Sequence, residues 1–362
     1  MADFWLTHAK LITPRGITSG AVKVSQGRIA AIRRSAPLGA RTISIHDNYL
    51  APGFVDLHVW GPPETVSRDA VRAGTTAFLT TLGPEPPRDL LQHVAARAHA
   101  RPREGAVCVG LHLEGPFVNP ACGGALPKRW MRAPSVAELN RLARAAAGRL
   151  KVITIAPELR GAEAAIRWCR RRGVVASLGH SDANARTAQD AVACGARAVT
   201  HVFNGMQPLH HRRGALIDVA LTAPRLTTMV IADGVHVSAE ALRLLVRAKT
   251  AGRIALVTDS IRRQEWDVVA RRGAYYTRRG LLAGSQLTMI AAVKRMATAC
   301  GVPLTDAVRM ASEVPARLLR LGSRGALRVG ARADLVVFDR TFRVRLTLVG
   351  GRLVYRPPTT DH

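Results

Sequence analysis

Histidines and carboxylates recur in this 362-residue chain at the points where successive apolar runs end. A single histidine at such a point is ordinarily a hydrogen-bonded core or rim residue. Recurrence over several runs is different, because the carboxyl ends of parallel strands in a barrel meet on one face. The residues that share this position are His58, His112, Glu114, His180, His201, His236 and Asp259.

These residue types point to metal chemistry. Neutral imidazoles together with one carboxylate suit Zn²⁺ or Fe²⁺. Three protein ligands leave room for water and a substrate oxygen, and the ion lowers the pKa of water towards ~7. A carboxylate that is not needed as a ligand can then act as general base and later as acid. Asp259 in the segment LVTDS is the natural candidate, with a helix N-cap or an Asx turn as its alternative role.

The elements that must position these residues follow from the rhythm of the chain. After Pro52, strand-like runs alternate with helical stretches such as SVAELNRLARAAAGR and ANARTAQDAVACG. About seven or eight such repeats over roughly 270 residues predict a (β/α)8 barrel. An open, doubly wound sheet is the alternative, but no GxGxxG sequence opens the first strand-to-helix turn.

Both ends of the chain are strand-like. Short alternating pieces such as FWLTHAKLIT fill the first part of the chain, and the pattern returns from Ala326 in ALRVGARADLVVFD. We therefore expect a small β-sandwich domain from residues 1–51 and 326–362, and the barrel from residues 52–325.

Composition and charge narrow the class of protein. The five cysteines are scattered without CxxC spacing, and no apolar run approaches the ~20 residues that cross a bilayer. Together with an N-terminus that lacks a secretory pattern, these features favour a cytoplasmic protein with reduced thiols and no membrane partner. The net charge of +28 fits an arginine-rich surface, steering of an anionic substrate or nucleic-acid binding. Scattered basic clusters and only 4% aromatic residues argue against nucleic acid.

Six short segments occur in an order that carries a specific resemblance. They are HLEGPF (112–117), GHSDA (179–183), THVFNGM (200–206), ADGVH (232–236), LVTDS (256–260) and LAGSQLTM (282–289), and the tail segment SEVPARLLRLGSRGALRVGARADLVVFD follows them. Together they resemble the N-acetylglucosamine-6-phosphate deacetylases of the amidohydrolase superfamily, from about residue 20 to about residue 355. The resemblance implies a metal-dependent (β/α)8 barrel with a small β-sandwich, a homodimer, and hydrolysis of the acetamide of a phosphorylated amino sugar.

The resemblance also implies roles for individual residues. It implies one divalent ion, Zn²⁺ or Fe²⁺, held by Glu114, His180 and His201. Asp259 matches the catalytic acid/base, and His236 matches a residue that contacts the substrate and polarises the acetyl carbonyl. The remaining positions match contacts to the sugar and its phosphate: Ala125, Asn204, Gly205, Arg212, Leu282, Ala283 and Gly284.

Two positions depart from the family pattern. Members with two metal ions carry a second histidine two residues after the position of His58, where this chain has Trp60, and this difference argues against a second ion. His58 and His112 are interpreted as residues that hydrogen-bond to neighbours of the metal rather than bind it. Leu126 replaces a histidine that contacts the substrate, and a buried polar group left without its partner costs roughly 1–3 kcal/mol.

These departures leave alternatives open. A deacetylase of a different N-acetyl amino sugar, unphosphorylated or linked to a nucleotide or an antibiotic, fits the apolar residue at Leu126. Arg212 in the segment HHRR favours a phosphate through charge-assisted bonds, unless this segment is a solvated loop. A non-catalytic basic barrel that binds nucleic acid or a protein partner is the alternative from another class. The intact set of metal-ligand and acid/base candidates argues against it: Glu114, His180, His201 and Asp259.

Overall fold

The computed structural model describes residues 3–358, apart from the side chain of Glu265, so expectations for residues 1–2 and 359–362 lie outside it. The strands are β1 (Phe4–Thr13), β2 (Gly16–Ser25), β3 (Arg28–Arg33), β4 (Thr42–Ser44), β5 (Tyr49–Pro52), β6 (Phe54–Trp60), β7 (Thr75–Leu82), β8 (Val107–Leu113), β9 (Leu150–Ile155), β10 (Val175–Leu178), β11 (Ala198–Val199), β12 (Thr227–Ile231), β13 (Ile254–Val257), β14 (Val268–Arg271), β15 (Ala274–Thr277), β16 (Leu282–Ser285), β17 (Leu335–Phe338), β18 (Val344–Val349) and β19 (Arg352–Tyr355). The α-helices are α1 (Pro63–Ala70), α2 (Pro87–His99), α3 (Val136–Ala145), α4 (Ala162–Arg172), α5 (Ala185–Cys194), α6 (Leu216–Thr222), α7 (Ala239–Ala248), α8 (Met289–Thr298), α9 (Leu304–Ala311) and α10 (Glu313–Leu318).

Strands β6 to β13 form a parallel sheet in which chain order and spatial order agree. The backbone N–H of Trp60 donates to Ser260 at 3.0 Å, and that of Asp259 donates to His58 at 2.8 Å, so the first and last strands also meet. A helix follows each strand from β6 to β12, and α8 follows β13 after an insertion. Strands such as β7 are buried along their whole length, as expected where helices cover the outside of a parallel barrel. The prediction of a (β/α)8 barrel is confirmed.

Local sequence explains where the barrel helices begin. The side chains of Ser135, Asn184 and Ser238 precede α3, α5 and α7 and accept hydrogen bonds from backbone N–H groups of the first turn. Gly173 ends α4 with φ 69°, a conformation that glycine adopts without strain. These signals fall inside the segments that the sequence predicts as helical.

The two chain ends form one largely antiparallel sheet with the strand order β19-β18-β17-β5-β1-β2-β3, and β4 pairs with β1. It has its own apolar core, which includes Leu6, Val22, Leu50, Leu335 and Leu348. The expected combination of a barrel with a β domain from both chain ends is therefore observed. The boundaries 1–51, 326–362 and 52–325 stay a prediction.

An antiparallel sheet of β14, β15 and β16 lies between β13 and α8 and is not anticipated by the repeat pattern. Its last strand places Leu282, Ala283 and Gly284 beside the carboxyl ends of the barrel strands. In the described part of the chain, none of the helices combines the length and apolar character that crossing a membrane requires.

Candidate metal centre and active site

The barrel places the chemistry-bearing side chains just beyond the carboxyl ends of its strands. Glu114 follows β8 directly, whereas His180, His201 and Asp259 each stand two residues beyond their strands. His180, His201 and Asp259 have φ values of 47°, 26° and 47°, which a residue with a Cβ adopts rarely. Backbone conformations of this kind cluster at functional sites, because the surrounding fold must hold them in place.

Glu114, His180 and His201 form one compact group of potential metal ligands. Oε1 of Glu114 lies 3.0 Å from Nε2 of His180 and 2.7 Å from Nε2 of His201, and the two Nε2 atoms are 3.1 Å apart. The three side chains are between 3% and 7% exposed. Ligand atoms around a tetrahedral ion with bonds of about 2.0–2.1 Å stand roughly 3.3 Å apart, so these separations need only a small expansion.

The hydrogen bonds of His180 test whether this group suits a cation. Nδ1 of His180 lies 2.8 Å from the backbone carbonyl of Cys122, which can only accept, so Nδ1 carries the proton. In the neutral ring Nε2 then presents its lone pair towards Glu114, as a metal-ligating histidine does. A carboxylate oxygen and two imidazole nitrogens converge at this point, and a divalent cation would satisfy all three. The donor set fits Zn²⁺ or Fe²⁺.

Electrostatics keep Glu114 ionised. Burial raises the pKa of Glu114, but the facing His58, His180 and His201 more than offset it, so the pKa of this carboxyl lies well below its usual range. A carboxylate that stays charged at neutral pH is a competent metal ligand.

Asp259 stands beside this group and is held through one of its two carboxylate oxygens. Its Oδ1 accepts a hydrogen bond from the indole N–H of Trp60 at 2.9 Å and lies 3.2 Å from Nε2 of His58. His58 in turn lies 3.3 Å from Glu114. Burial lowers the pKa of His58, but Asp259 and Glu114 outweigh burial and raise this pKa to about 9. Asp259 caps none of the described helices, so the structure does not support its alternative role as an N-cap.

His58, Glu114 and Asp259 also form a second group whose ligand atoms lie close together. The sequence interprets His58 as a neighbour of a single-metal centre, and the structure places it between the two carboxylates with its ring fully buried. The contribution of Trp60 to this group could not be found from sequence, since Trp60 and Asp259 are 199 positions apart.

His112 lies beneath the site, and both of its ring nitrogens have hydrogen-bond partners in the barrel interior. Its ring contacts the Leu57 carbonyl at 3.0 Å and the Thr154 hydroxyl at 2.9 Å. Thr154 continues to the hydroxyl of Thr200 at 2.9 Å, and Thr200 continues to that of Ser177 at 2.7 Å. Burial, followed by the charge of His58, holds the pKa of His112 well below its usual range. This neutral ring supports the floor of the site, and sequence reasoning missed the hydroxyl network attached to it.

His236 reaches the site from the loop after β12. Its Nδ1 lies 2.6 Å from Oδ2 of Asp233, so Nδ1 donates and Nε2 is the ring nitrogen left for the cavity. Burial raises the pKa of Asp233, but bonds from His236 and backbone N–H groups outweigh burial, so this pKa lies below its usual value. Asp233 is a site residue that sequence reasoning missed, although its position three residues before His236 in ADGVH was a usable signal.

A cavity of about 260 Å³ opens above these groups. Most of the predicted substrate contacts line it together with the proposed catalytic and metal-binding residues: Ala125, Asn204, Gly205, His236, Leu282, Ala283 and Gly284. Arg212 is not among the lining residues and is exposed on the loop after β11. Gly205 has φ 61°, and a Cβ there would stand 3.0 Å from Nδ1 of His180, so this position needs glycine.

The walls of the cavity are largely apolar. Trp60, Leu126, Ile261 and Trp266 belong to or pack against one apolar cluster at its edge. Among the described lining residues there is no lysine or arginine. The cavity thus offers aromatic and aliphatic surface around a small polar centre, which is the usual composition of a small-molecule site.

Comparison with known proteins agrees with this fold and donor set. The sequence profile of the amidohydrolase family matches residues 49–354, and that of the allantoinase composite domain matches residues 1–37. The chain belongs to the amidohydrolase family, whose members are metal-dependent, and it is a hydrolase that acts on an amide bond.

The resemblance to N-acetylglucosamine-6-phosphate deacetylases is also confirmed. The enzyme of that name from Bacillus subtilis (strain 168) is 32% identical, over 95% of this chain and 95% of its own length. The N-acetylgalactosamine-6-phosphate deacetylase of Escherichia coli O157:H7 is 32% identical, over 96% of this chain and 99% of its own. A mutant N-acetyl-D-glucosamine-6-phosphate deacetylase from Mycobacterium smegmatis, solved in complex with N-acetyl-D-glucosamine-6-phosphate, superposes with a TM-score of 0.87 at 31% identity, covering 98% and 100% of the two chains.

Proposed function

We propose that this protein hydrolyses N-acetylglucosamine 6-phosphate to glucosamine 6-phosphate and acetate. The observation that carries the proposal is the convergence of Glu114, His180 and His201 beside Asp259, at the floor of the cavity. Relatives at 32% identity that cover nearly the whole chain are named for this reaction. The same convergence argues against a non-catalytic binding barrel, because a binding surface has no use for such a costly buried donor set.

One divalent ion, Zn²⁺ or Fe²⁺, would be held by Glu114, His180 and His201. When bound, it would activate a water molecule and polarise the acetamide carbonyl. We propose one ion rather than two, because the second group already contains the His58 ring and the Trp60 N–H donor beside Asp259.

The chain's own residues supply the proton transfers and the fixed geometry. Asp259 takes a proton from the attacking water and returns it to the leaving amine, the work of a general base that then serves as acid. His236 is held by the Asp233 carboxylate, and with both ring nitrogens protonated it donates from Nδ1 to Asp233 and from Nε2 towards the acetyl oxygen. A donor placed where negative charge develops stabilises the tetrahedral transition state.

The sugar would lie against Ala125, Asn204, Gly205 and residues 282–284, which line the cavity. Its phosphate would have to extend towards Arg212, because no cation lines the cavity among the described residues. This absence favours a second candidate, an N-acetyl amino sugar that lacks the phosphate.

The homodimer and the cytoplasmic location stay predictions from the resemblance and composition.

Acetate release from the metal-loaded protein separates these candidates. The panel contains N-acetylglucosamine 6-phosphate, N-acetylgalactosamine 6-phosphate and the two free sugars. The proposal predicts that a phosphorylated sugar has the highest kcat/KM and that Arg212→Gln lowers this value about tenfold through KM, the effect of losing a charged hydrogen bond. Arg225→Gln, which removes a charge from an exposed loop before β12, is the matched control and should leave kcat/KM unchanged. A preference for the free sugars would support the second candidate, and no acetate from any of the four would overturn both.

A further inference from the structure

We propose that Trp60 is a positioning residue for the reaction, which holds Oδ1 of Asp259 through its indole N–H and thereby assigns the proton transfer to Oδ2. The inference rests on the proposed role of Asp259 as acid/base. It concerns a residue that the sequence shows only as the place where a second histidine is missing.

The contact itself is specific. The indole Nε1 of Trp60 lies 2.9 Å from Oδ1 of Asp259, and both side chains are buried. An indole nitrogen can only donate and a carboxylate oxygen can only accept, so the direction of this hydrogen bond is fixed. Hydrogen bonds to ionised groups are about twice as strong as neutral ones.

The surroundings leave the Trp60 ring little freedom. It packs with Val118, Leu126 and Ile261 in an apolar cluster. Trp266 meets it edge-on, with ring centroids 5.0 Å apart and planes at 86°. A ring held on both sides presents its N–H in one direction, which is the condition for positioning a catalytic group rather than merely contacting it.

The two oxygens of Asp259 are therefore unequal. Oδ1 has Trp60 as donor and His58 at 3.2 Å, whereas none of the described residues donates a hydrogen bond to Oδ2. Asp259 is among the residues that line the cavity. The free oxygen is the one that can meet water and the leaving amine, and fixing its partner sets its direction. A misplacement of about 1 Å at such a group can cost about 100-fold in rate.

The kinetic test uses Trp60→Phe, which keeps an aromatic ring but removes the donor and part of the ring volume. We expect kcat to fall at least tenfold while KM changes less than about threefold, because the lost hydrogen bond is to Asp259 rather than to substrate. Trp168→Phe is the matched control, because it removes an indole N–H bond to Asn140 at 3.0 Å on the outer helices. The control should leave kcat within about twofold. A Trp60→Phe enzyme with wild-type kcat, or with a change confined to KM, would overturn the inference.

A double-mutant comparison shows whether Trp60 acts through Asp259. In an Asp259→Asn background, adding Trp60→Phe should lower kcat by less than about twofold, because the group that Trp60 positions no longer transfers the proton. If Trp60→Phe still lowers kcat tenfold in the Asp259→Asn background, Trp60 acts independently of Asp259, contrary to the inference.

A third measurement needs no substrate and therefore separates failure of this inference from failure of the proposed function. The chain has five tryptophans, so protein labelled with ¹⁵N-tryptophan gives five indole N–H signals, and Trp60→Phe and Trp168→Phe assign two of them. Asp259→Asn should shift the Trp60 signal and leave the Trp168 signal in place. If the Trp60 signal does not move, the hydrogen bond is absent in solution and the inference fails, whatever reaction the protein catalyses.

Discussion

At the scale of single residues, Glu114 is the point on which the site converges. Two imidazole nitrogens lie within 3.0 Å of its Oε1, and His58 approaches Oε2 at 3.3 Å. The pKa of Glu114 is low although the side chain is buried, because the facing histidines stabilise the charge that burial opposes. A buried carboxylate with this many nitrogen partners supports the proposal that Glu114 is a metal ligand.

Replacing Glu114 by Gln should abolish stable metal binding, because the amide keeps the shape of the side chain but removes the charge that a divalent ion requires. Metal content after dialysis, measured by elemental mass spectrometry, should fall from one ion per chain to near zero. The exposed Glu163→Gln on α4 is the control and should retain one ion. Full metal content in Glu114→Gln would remove this residue from the proposed ligands.

Asp259→Asn makes a different prediction at the same scale. The amide cannot move the proton, so kcat should fall at least ~100-fold, whereas the metal content should stay at one ion per chain. The comparison of rate with metal content separates a proton-transfer role from a ligand role. Turnover close to the wild-type value would exclude Asp259 from the mechanism, and loss of the metal would make it a ligand.

At the scale of elements, the loops after the barrel strands hold the ligands in uncommon backbone conformations. Gly205 sits in one of these loops, where a Cβ would press on Nδ1 of His180 at 3.0 Å and on the Cys122 carbonyl at 3.2 Å. That carbonyl fixes the His180 ring, so we expect the loop to affect metal binding through the orientation of this proposed ligand.

Gly205→Ala should therefore weaken metal affinity about 10- to 100-fold, the usual cost of disturbing a partner of a metal ligand. Competition with a chromophoric chelator measures this affinity. Gly148→Ala is the matched control, because Gly148 also has a positive φ of 78° but has open space around it. Equal effects of the two changes would show that backbone strain alone, rather than contact with His180, is responsible.

Lys249 at the end of α7 gives a pH prediction away from the site. Burial, assisted by Arg253, lowers the pKa of Lys249 to about 8, and its Nζ donates to the Ala223 carbonyl. The unfolded chain then binds more protons than the folded one between pH 8 and the usual pKa of 10.5, so stability rises with pH across this window. Urea unfolding at a series of pH values should show the wild type gaining stability relative to Lys249→Met between these values. A constant difference would contradict the shift.

How much of the structure can be predicted from sequence differs from one element to another. The starts of three barrel helices can be predicted, because Ser135, Asn184 and Ser238 are residue types that cap helices. The sheet of β14 to β16 could not be predicted, because its strands of four residues each interrupt the alternation of strands and helices. Ligand types could be placed at strand ends, but the Trp60–Asp259 bond joins residues that only barrel closure brings together. Arg212 shows the opposite case. Its place in the motif predicted a phosphate contact, but its side chain is exposed and is not among the residues that line the cavity.

At the scale of the whole molecule, the barrel and the site support each other. Asp56 on β6 accepts a hydrogen bond from the Thr258 hydroxyl at 2.6 Å, which ties the first strand to the residue that follows β13. Burial raises the pKa of Asp56 to about 6. His58, Trp60 and Asp259 lie where the first and last strands meet. The backbone contacts that close the barrel therefore also bring the second side-chain group together.

Metal removal should lower the stability of the whole fold, because the proposed ligands follow β8, β10 and β11 and form a site only in the folded chain. At a free metal concentration about 100 times Kd, binding adds about 2.7 kcal/mol to the free energy of unfolding. Urea unfolding with Zn²⁺ and with a chelator should show this difference in the wild type and not in Glu114→Gln. An equal response in both would indicate that the metal binds elsewhere.

We propose that one divalent ion at Glu114, His180 and His201 makes this barrel a deacetylase. The most direct measurement titrates Zn²⁺ or Fe²⁺ into metal-free protein while acetate release from N-acetylglucosamine 6-phosphate is followed. We expect activity to rise linearly and to stop at one ion per chain. Activity that continues to rise to two ions per chain, or no acetate at any metal loading, would contradict it.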